Sequence, residues 1–268
     1  MTILRESGLK LQPVVLDLLA RLDAVDLDGL NARARLLERR DNKYVLTTQQ
    51  LCTFLDYARQ HFDVLQIDGL RQFHYRTIYF DSPQFDCFHD HNKGRRKRLK
   101  VRFRSYLDHN RHFFEIKLKG RRNVTHKFRV PVDGPAPSDA GLCTTLRQFC
   151  NDTLATHYGQ ALDTDLQPAI TVDYQRITLV AKAGAERITV DNRLAFSDGE
   201  NSVSLRDSKW VLEVKSENGL SETDRWLFAQ GHRPVPKCSK YGMAVSLLKM
   251  PDRNNRFRPV LKRHFKHA

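Results

Sequence analysis

Arg98-Leu99-Lys100-Val101-Arg102-Phe103-Arg104 alternates without a break: the even positions are cationic and the odd ones apolar. A β-strand turns successive side chains to opposite faces, so this stretch predicts a strand with one hydrophobic and one wholly positive face. The same pattern recurs in the next two segments. Phe114, Ile116 and Leu118 alternate with Glu115, Lys117 and Lys119, and His126, Phe128 and Val130 alternate with Thr125, Lys127 and Arg129. Asp108-His109-Asn110 reads as a hairpin loop between the first two segments, so the three strands are expected side by side, with helices over the apolar face. An antiparallel sheet often shows polar residues to water, but an ordinary solvated face mixes both signs. This one is nearly all positive and repels itself without an anion.

Farther along, the arrangement repeats. Arg187, Thr189 and Asp191 alternate with Ile188 and Val190, and Glu213 and Lys215 alternate with Leu212 and Val214. Glu115-Ile116-Lys117 and Glu213-Val214-Lys215 are alike, each after an apolar run, Phe113-Phe114 or Val211-Leu212. Period-two segments at 36–45, 72–80, 97–107, 112–119, 124–131, 169–180, 186–196 and 209–216 predict at least eight strands. Joined by short turns, they predict an α+β fold: a closed or nearly closed antiparallel β-barrel of about eight strands, with helices packed outside. In such a barrel both Glu-x-Lys pairs point into the lumen. Helical patterns cover Leu9 to Leu22, a stretch starting at Thr47 or Thr48, Ser138 to Leu154, Ser221 to Gln230 and Ser239 to Lys249. The expected organisation is a helical leader over 1–34, the strand-rich domain over 35–250, and a basic tail over 251–268. The tail is read as solvated and disordered, with contact to an acidic partner as the sharper alternative.

Composition bounds the partner. The 268 residues are 40% hydrophobic, enough for a core, and carry 45 Lys and Arg against 31 Asp and Glu, a net charge of +14. That excess points to a polyanion without separating nucleic acid, anionic membrane and phosphate chains. The longest apolar runs, such as 14–20, fall far short of the ~20 residues that span a bilayer, and the start of the chain has no signal-peptide core. A soluble, cytoplasmic chain with no transmembrane segment is expected, and a membrane partner is not readable. Five cysteines without CxxC spacing and eleven histidines without an HExxH pair predict neither a disulfide framework nor a zinc site. Nucleic acid is not expected, because Phe103, Phe114 and Phe128 alternate away from the charges. Trp210 and Trp226 read as packing residues. Gly94, in Asn92-Lys93-Gly94-Arg95-Arg96, reads as a turn before the basic strand, with a phosphate-gripping loop as the sharper reading.

A cationic lumen suits a chain of phosphates, since Arg bridges two oxygens with a planar fork and Lys supplies a compact charge. The few carboxylates then need a reason. Glu213, with Glu115 or Asp41, is expected to hold a divalent cation bridging to phosphate oxygens; a plain Glu–Lys salt bridge weighs equally for Glu115.

Several runs occur in an informative order: Arg39-Arg40-Asp41-Asn42-Lys43-Tyr44, Lys100-Val101-Arg102-Phe103-Arg104-Ser105-Tyr106, Phe114-Glu115-Ile116-Lys117, Tyr174-Gln175-Arg176, Arg187-Ile188-Thr189-Val190-Asp191, Leu212-Glu213-Val214-Lys215 and Ser239-Lys240-Tyr241. Over roughly residues 35–250 the chain resembles a bacterial VTC domain, the polyphosphate polymerase domain of the vacuolar transporter chaperone, within the triphosphate tunnel metalloenzyme superfamily. The resemblance implies a tunnel of antiparallel strands, ATP and inorganic polyphosphate as partners, and transfer of the γ-phosphoryl group to a growing chain with a divalent metal, Mn2+ or Mg2+. It implies ATP:polyphosphate phosphotransferase chemistry with Arg102, Arg104, Arg176 and Arg187 on the transferred group. Lys43, Lys117, Lys127, Lys215, Lys237 and Lys240 would bind substrate, and Glu213, with Glu115 and Asp41, would take the metal. Tyr44 and Tyr241, each following a Lys, are expected to pack with the hydroxyl at the tunnel wall.

One departure bears on activity. Hydrolytic members of the superfamily open with Glu-x-Glu-x-Lys, where this chain has Arg39-x-Asp41-x-Lys43, and loss of the first acid argues against a triphosphatase or cyclase. No SPX domain or membrane anchor is recognisable, so coupled translocation is not implied. A non-catalytic polyphosphate-binding module is the rival reading, distinguished by metal-dependent ADP release.

Overall fold

The computed structural model describes residues 13–33, 40–120, 124–134, 141–217, 219–236, 238–250 and 257–265. In chain order the first elements are α1 (Pro13–Ala20), β1 (Ala24–Val25), α2 (Leu27–Arg33), β2 (Arg40–Thr47), α3 (Thr48–His61) and β3 (Phe62–Leu65). Then come β4 (Phe73–Asp81), α4 (Asp86–Lys93), β5 (Leu99–Tyr106), β6 (Arg111–Lys119), β7 (Thr125–Pro131), α5 (Thr144–Tyr158) and β8 (Gln167–Ala181). The remainder is β9 (Arg187–Ser197), β10 (Ser202–Ser204), β11 (Lys209–Ser216), α6 (Glu222–Ala229), α7 (Lys240–Leu248) and α8 (Arg258–His264). The chain divides into two compact units. One takes 1–72, 175–193 and 205–236, the other 73–174, 194–204 and 237–268.

In the first unit β11 lies antiparallel between β2 and β9, and β3 pairs the end of β8 while β1 joins β3 in parallel. The apolar sides of these strands, including Tyr44, Leu46, Leu212, Val214, Ile188 and Val190, form one core with α3, and α1 adds Val15, Leu18 and Leu19 to it. The predicted leader thus packs into this core, against α3; its residues 9–12 lie outside the described part. Helix α3 begins where Thr47 and Gln50 cap each other reciprocally. It buries Leu51, Phe54, Leu55 and Ala58, the i, i+3, i+4, i+7 stripe of a core-facing helix. Each large apolar side chain buried in this way contributes about 1.5–3 kcal/mol.

In the second unit β5 pairs β4 on one side and β6 on the other, and β6 pairs β7, all antiparallel. Val101, Phe103, Phe114, Ile116 and Leu118 make the buried face, and α5 covers it with Leu146, Cys150 and Leu154. The alternation of 98–130 is therefore read correctly from sequence. Helix α5 starts at Thr144, later than the expected Ser138, which lies outside the described residues.

Three expectations change. The sheet is mainly antiparallel and has eleven strands among the described residues, but β2 and β7 are each paired on one side only, so hydrogen bonds do not close it into a barrel. The described part of the basic tail is not disordered: it forms α8, with Phe257, Val260, Leu261 and Phe265 buried. Helix α4 was not foreseen, because its N-terminus is capped from a distance. The buried Asp81 carboxylate, at the end of β4, accepts the backbone N–H groups of Cys87 and Phe88 at 2.9 and 3.0 Å. Among the described residues no helix is long and apolar enough to cross a membrane.

Candidate functional site

On the second unit the polar face of β5, β6 and β7 is organised around one carboxylate. Glu115 is 0% exposed. Register places Arg102 and Arg129 directly across from it, with Lys127 and Arg104 two residues away along the flanking strands. Arg102 grips one oxygen with Nε at 2.6 Å and Nη2 at 2.5 Å, Arg104 approaches the same oxygen at 3.9 Å, and the Lys127 ammonium meets the other. Three cations thus converge on one anion. Burial opposes the Glu115 charge, but Arg102, Arg104 and Lys127 outweigh it and hold the carboxyl far below its usual range. Lys127 is pushed down to about 8, by burial first and then by the two guanidiniums, although Glu115 opposes the shift. Its side chain is 35% exposed while its ammonium sits against the buried acid.

Strand β4 holds the guanidiniums from behind. Tyr79 and Thr77 lie across from Arg102 and Arg104, and their oxygens come within 3.5 and 3.4 Å of them. The next row of the face sets Lys100, Lys117 and Lys127 abreast on three strands. Lys100 Nζ donates to Ser239 Oγ at 3.1 Å, at the N-cap of α7, and Lys240 lies 4.9 Å over the Tyr174 ring.

On the first unit the polar face of β2, β11 and β9 carries mixed charge. Glu213 lies between Lys43 and Thr189, and in the next row Lys215 lies between Asp41 and Arg187. Lys43 and Lys215 reach Glu213 at 2.6 and 3.2 Å, and Lys215 also donates to Thr189 Oγ1 at 2.9 Å. Arg176 makes a bidentate pair with buried Asp191, at 2.6 and 2.8 Å. Burial pushes Lys215 down to about 8, with Arg176 and Arg187 adding to the shift and Glu213 and Asp41 opposing it.

The VTC domain family model matches residues 38–249, the span that contains both cationic faces. The chain belongs to the VTC domain family. No curated protein matches the chain in sequence. Among solved structures it is similar to a Vibrio parahaemolyticus protein assigned as an adenylate cyclase, at 10% identity and TM-score 0.39, covering 72% of this chain and 86% of that one. It is also similar to the Hippeastrum protein HpAC1, assigned as an adenylyl cyclase and described with a dominant triphosphatase activity, at 12% identity and TM-score 0.44, covering 78% and 95%. A third is the PH1819 protein of Pyrococcus horikoshii, at 13% identity and TM-score 0.43, covering 77% and 99%.

Within this VTC domain the expected residues divide as follows. Arg102, Arg104, Glu115 and Lys127 meet in one cluster, with Lys117 on the same face. Lys43, Glu213 and Lys215 meet in another, with Asp41, Arg187 and Arg176 on the same unit. Lys237 lies outside the described residues. Tyr44 and Tyr241 are not on a cationic face. The Tyr44 hydroxyl donates to Asp224 at 2.6 Å within the core, and the Tyr241 hydroxyl donates to buried Asp81. Aromatic rings also accompany the cations more than the sequence implied, with Arg104 5.8 Å over Tyr75 and Arg129 4.9 Å over Phe113. Trp226 stacks on Tyr57 and buried Trp210 donates to Thr48, both in packing roles.

Thr189, Asp191, Thr77 and Tyr79 were not foreseen as members of these clusters, although period-two alternation carries each onto the face it occupies. The acids differ in fitness for a metal. Glu115 has both oxygens taken up by cations and no exposure, which suits an ion-pair anchor. Glu213 and Asp41 share the polar face of the first unit, and one or two carboxylates completed by phosphate oxygens suit Mg2+ or Mn2+. Among the described residues no three His, Cys, Asp or Glu side chains group to hold a metal by themselves.

Proposed function

We propose that this VTC domain is a polyphosphate polymerase-like phosphotransferase that binds ATP and inorganic polyphosphate and moves the γ-phosphoryl group onto a phosphate chain. The observation that carries this reading is the Glu115 cluster, in which three cations surround one fully buried carboxylate and leave a surplus of positive charge where water is partly excluded. Arg102 and Arg104 are each 9% exposed and braced from β4, which fixes their forks before an anion arrives. In the proposed assignment Arg102 and Arg104 of the second unit hold the transferred group, with Lys117, Lys127, Lys237 and Lys240 as further phosphate ligands, and Arg176, Arg187, Lys43 and Lys215 are the phosphate ligands of the first unit. Glu213, with Asp41, would hold a divalent cation that supplies further charge neutralisation. The terminal oxygen of the acceptor chain, already ionised, forms a bond to the γ-phosphorus as the bond to the β–γ bridging oxygen breaks, and ADP leaves with that electron pair. No general base is needed.

The experiment is synthesis in vitro. Purified protein with ATP and Mn2+ is expected to release ADP and make acid-labile phosphate chains. Retention of added polyphosphate with no ADP released would instead establish the binding-only module. The observation that favours that second reading is Glu213 itself, whose carboxylate is engaged by two ammonium groups.

A pH dependence follows from the two lysines held at about 8. Phosphate binds their protonated forms and raises their affinity for protons, so below about 8 no proton is exchanged, and above it binding must take protons up. Affinity for tripolyphosphate is expected to fall as pH rises from 7 to 9, by up to about tenfold per unit for each lysine. Calorimetric titration in buffers of different ionisation heat reads the proton uptake directly, and a flat affinity over this range would remove Lys127 and Lys215 from the binding set.

A further inference from the structure

The alternating row of β5 does not stop at the buried cluster. Arg104 and Arg102 are buried, Lys100 and Arg98 are half-buried, and the chain before them reads Lys93-Gly94-Arg95-Arg96-Lys97, with all four of its cations exposed. Because a strand advances about 3.3 Å per residue, the row from Arg104 to Arg98 alone spans roughly 20 Å. The positive face of this unit therefore grades from interior to solvent and ends in an exposed basic loop.

The loop is built rather than loose. Gly94 closes α4 in the left-handed conformation at φ 70°, with its N–H on His91 O, while the N–H of Arg95 reaches back to Asp90 O at 2.9 Å. A side chain with a Cβ would be strained at that φ, which accounts for the glycine. At the other end the Tyr158 hydroxyl accepts the backbone N–H of Arg98 at 3.2 Å and of Lys119 at 2.8 Å, and sits 2.9 Å from both of their carbonyls. Lys97 Nζ is held on Tyr158 O at 2.7 Å. One tyrosine of α5 thus ties the mouth of the β5–β6 pair together and fixes where the cations stand.

We infer that Lys93, Arg95, Arg96 and Lys97, with Arg98 and Lys119, form an outer track for a long polyphosphate chain, continuing the row that starts at Arg102. This rests on the proposed function and adds a chain-length preference to it. A triphosphate at the buried cluster, only three phosphorus atoms long, does not need the loop. A long chain that engages the buried row and extends toward solvent along β5 meets it. Charge complementarity decides the occupant: a flexible linear polyanion can follow a single row of cations, with no base or headgroup to accommodate.

The test is a triple variant, Lys93→Gln, Arg95→Gln and Arg96→Gln, which among the described residues breaks one exposed ion pair, Arg95 with Asp90. Binding of tripolyphosphate and of long-chain polyphosphate is measured at several salt concentrations for the parent and the variant. Tripolyphosphate affinity is expected to change less than about twofold, while long-chain affinity falls about tenfold or more and its salt slope drops by about two, as three lost phosphate contacts require. If the parent binds tripolyphosphate but the variant keeps its long-chain affinity, this inference alone fails. If the parent binds neither ligand, the proposed function fails with it. Equal losses for both ligands, or an equal loss for single-stranded RNA of similar charge, overturn the assignment of the loop as a polyphosphate track.

Discussion

Arg102→Ala is expected to lower ADP release and chain synthesis about 10^3-fold while the protein stays folded. The magnitude is that of removing a preorganised donor from a developing phosphoryl charge, for which losses of about 10^2 to 10^5 are typical. Arg102 is singled out because its Nε and Nη2 both lie on Glu115, which orients the guanidinium plane, and Tyr79 sits 3.5 Å from its Nη1. Arg102→Lys keeps the charge but not the fork, and its rate should fall between those of the parent and the alanine variant, because an ammonium cannot hold Glu115 and bridge two phosphate oxygens at once. Truncation also removes one of three cations from Glu115, so melting temperature must be followed beside the rate. A folded Arg102→Ala protein that makes chains at the parental rate would falsify the assignment of Arg102 to the transferred group.

The sequence made some of this legible and hid the rest for definite reasons. Period-two alternation sorts side chains to faces, so the apolar core of β5, β6 and β7 and the basic face opposite it could be read without coordinates. Alternation does not give register. Only the pairing of Arg102 with Glu115 and of Glu115 with Arg129 shows that the acid lies inside a ring of cations rather than beside an open position for a metal. Tyr44 is a different case, since the signal was present. A residue next to Lys43 on a strand must face the other way, and Tyr44 does so, into the core and onto Asp224. Tyr241 follows Lys240 on a helix, where a step of about 100° per residue likewise separates neighbours, and it turns to Asp81. Helix α4 was hidden because its cap, Asp81, lies at the end of the preceding strand, with a left-handed Phe85 between them. The tail helix α8 was missed although Phe257, Val260, Leu261 and His264 carry the i, i+3, i+4, i+7 spacing of a buried stripe, because the cations among them, Arg258, Lys262 and Arg263, made the run read as a basic tail.

Glu115→Gln should be the most destabilising single change on the basic face, costing about 3 to 5 kcal/mol at pH 7 in the absence of anions, the range for removing one partner of a buried ion pair. The amide preserves shape and one acceptor oxygen but leaves Arg102, Arg104 and Lys127 facing one another with nothing to neutralise them. The pH dependence of the loss follows from the shifts. The folded-state pKa of Glu115 is depressed, so its contribution is complete above the ordinary carboxylate value and is lost only as pH falls through the lower folded value. The parent should therefore keep this cluster well into acid, and the difference between parent and variant should vanish there. On the alkaline side Lys127 is already held at about 8 in the parent, and without the carboxylate that opposes the shift it should titrate lower still. Its proton is then lost more readily in the folded variant than in the unfolded chain, so the deficit should shrink as pH rises from 6 to 9. Tripolyphosphate should do the same at constant pH, by supplying the missing negative charge, and should raise the variant's melting temperature more than the parent's. A variant as stable as the parent without anion, or one that tripolyphosphate does not rescue, would mean that the three cations are screened by water and that the face is not preorganised for phosphate.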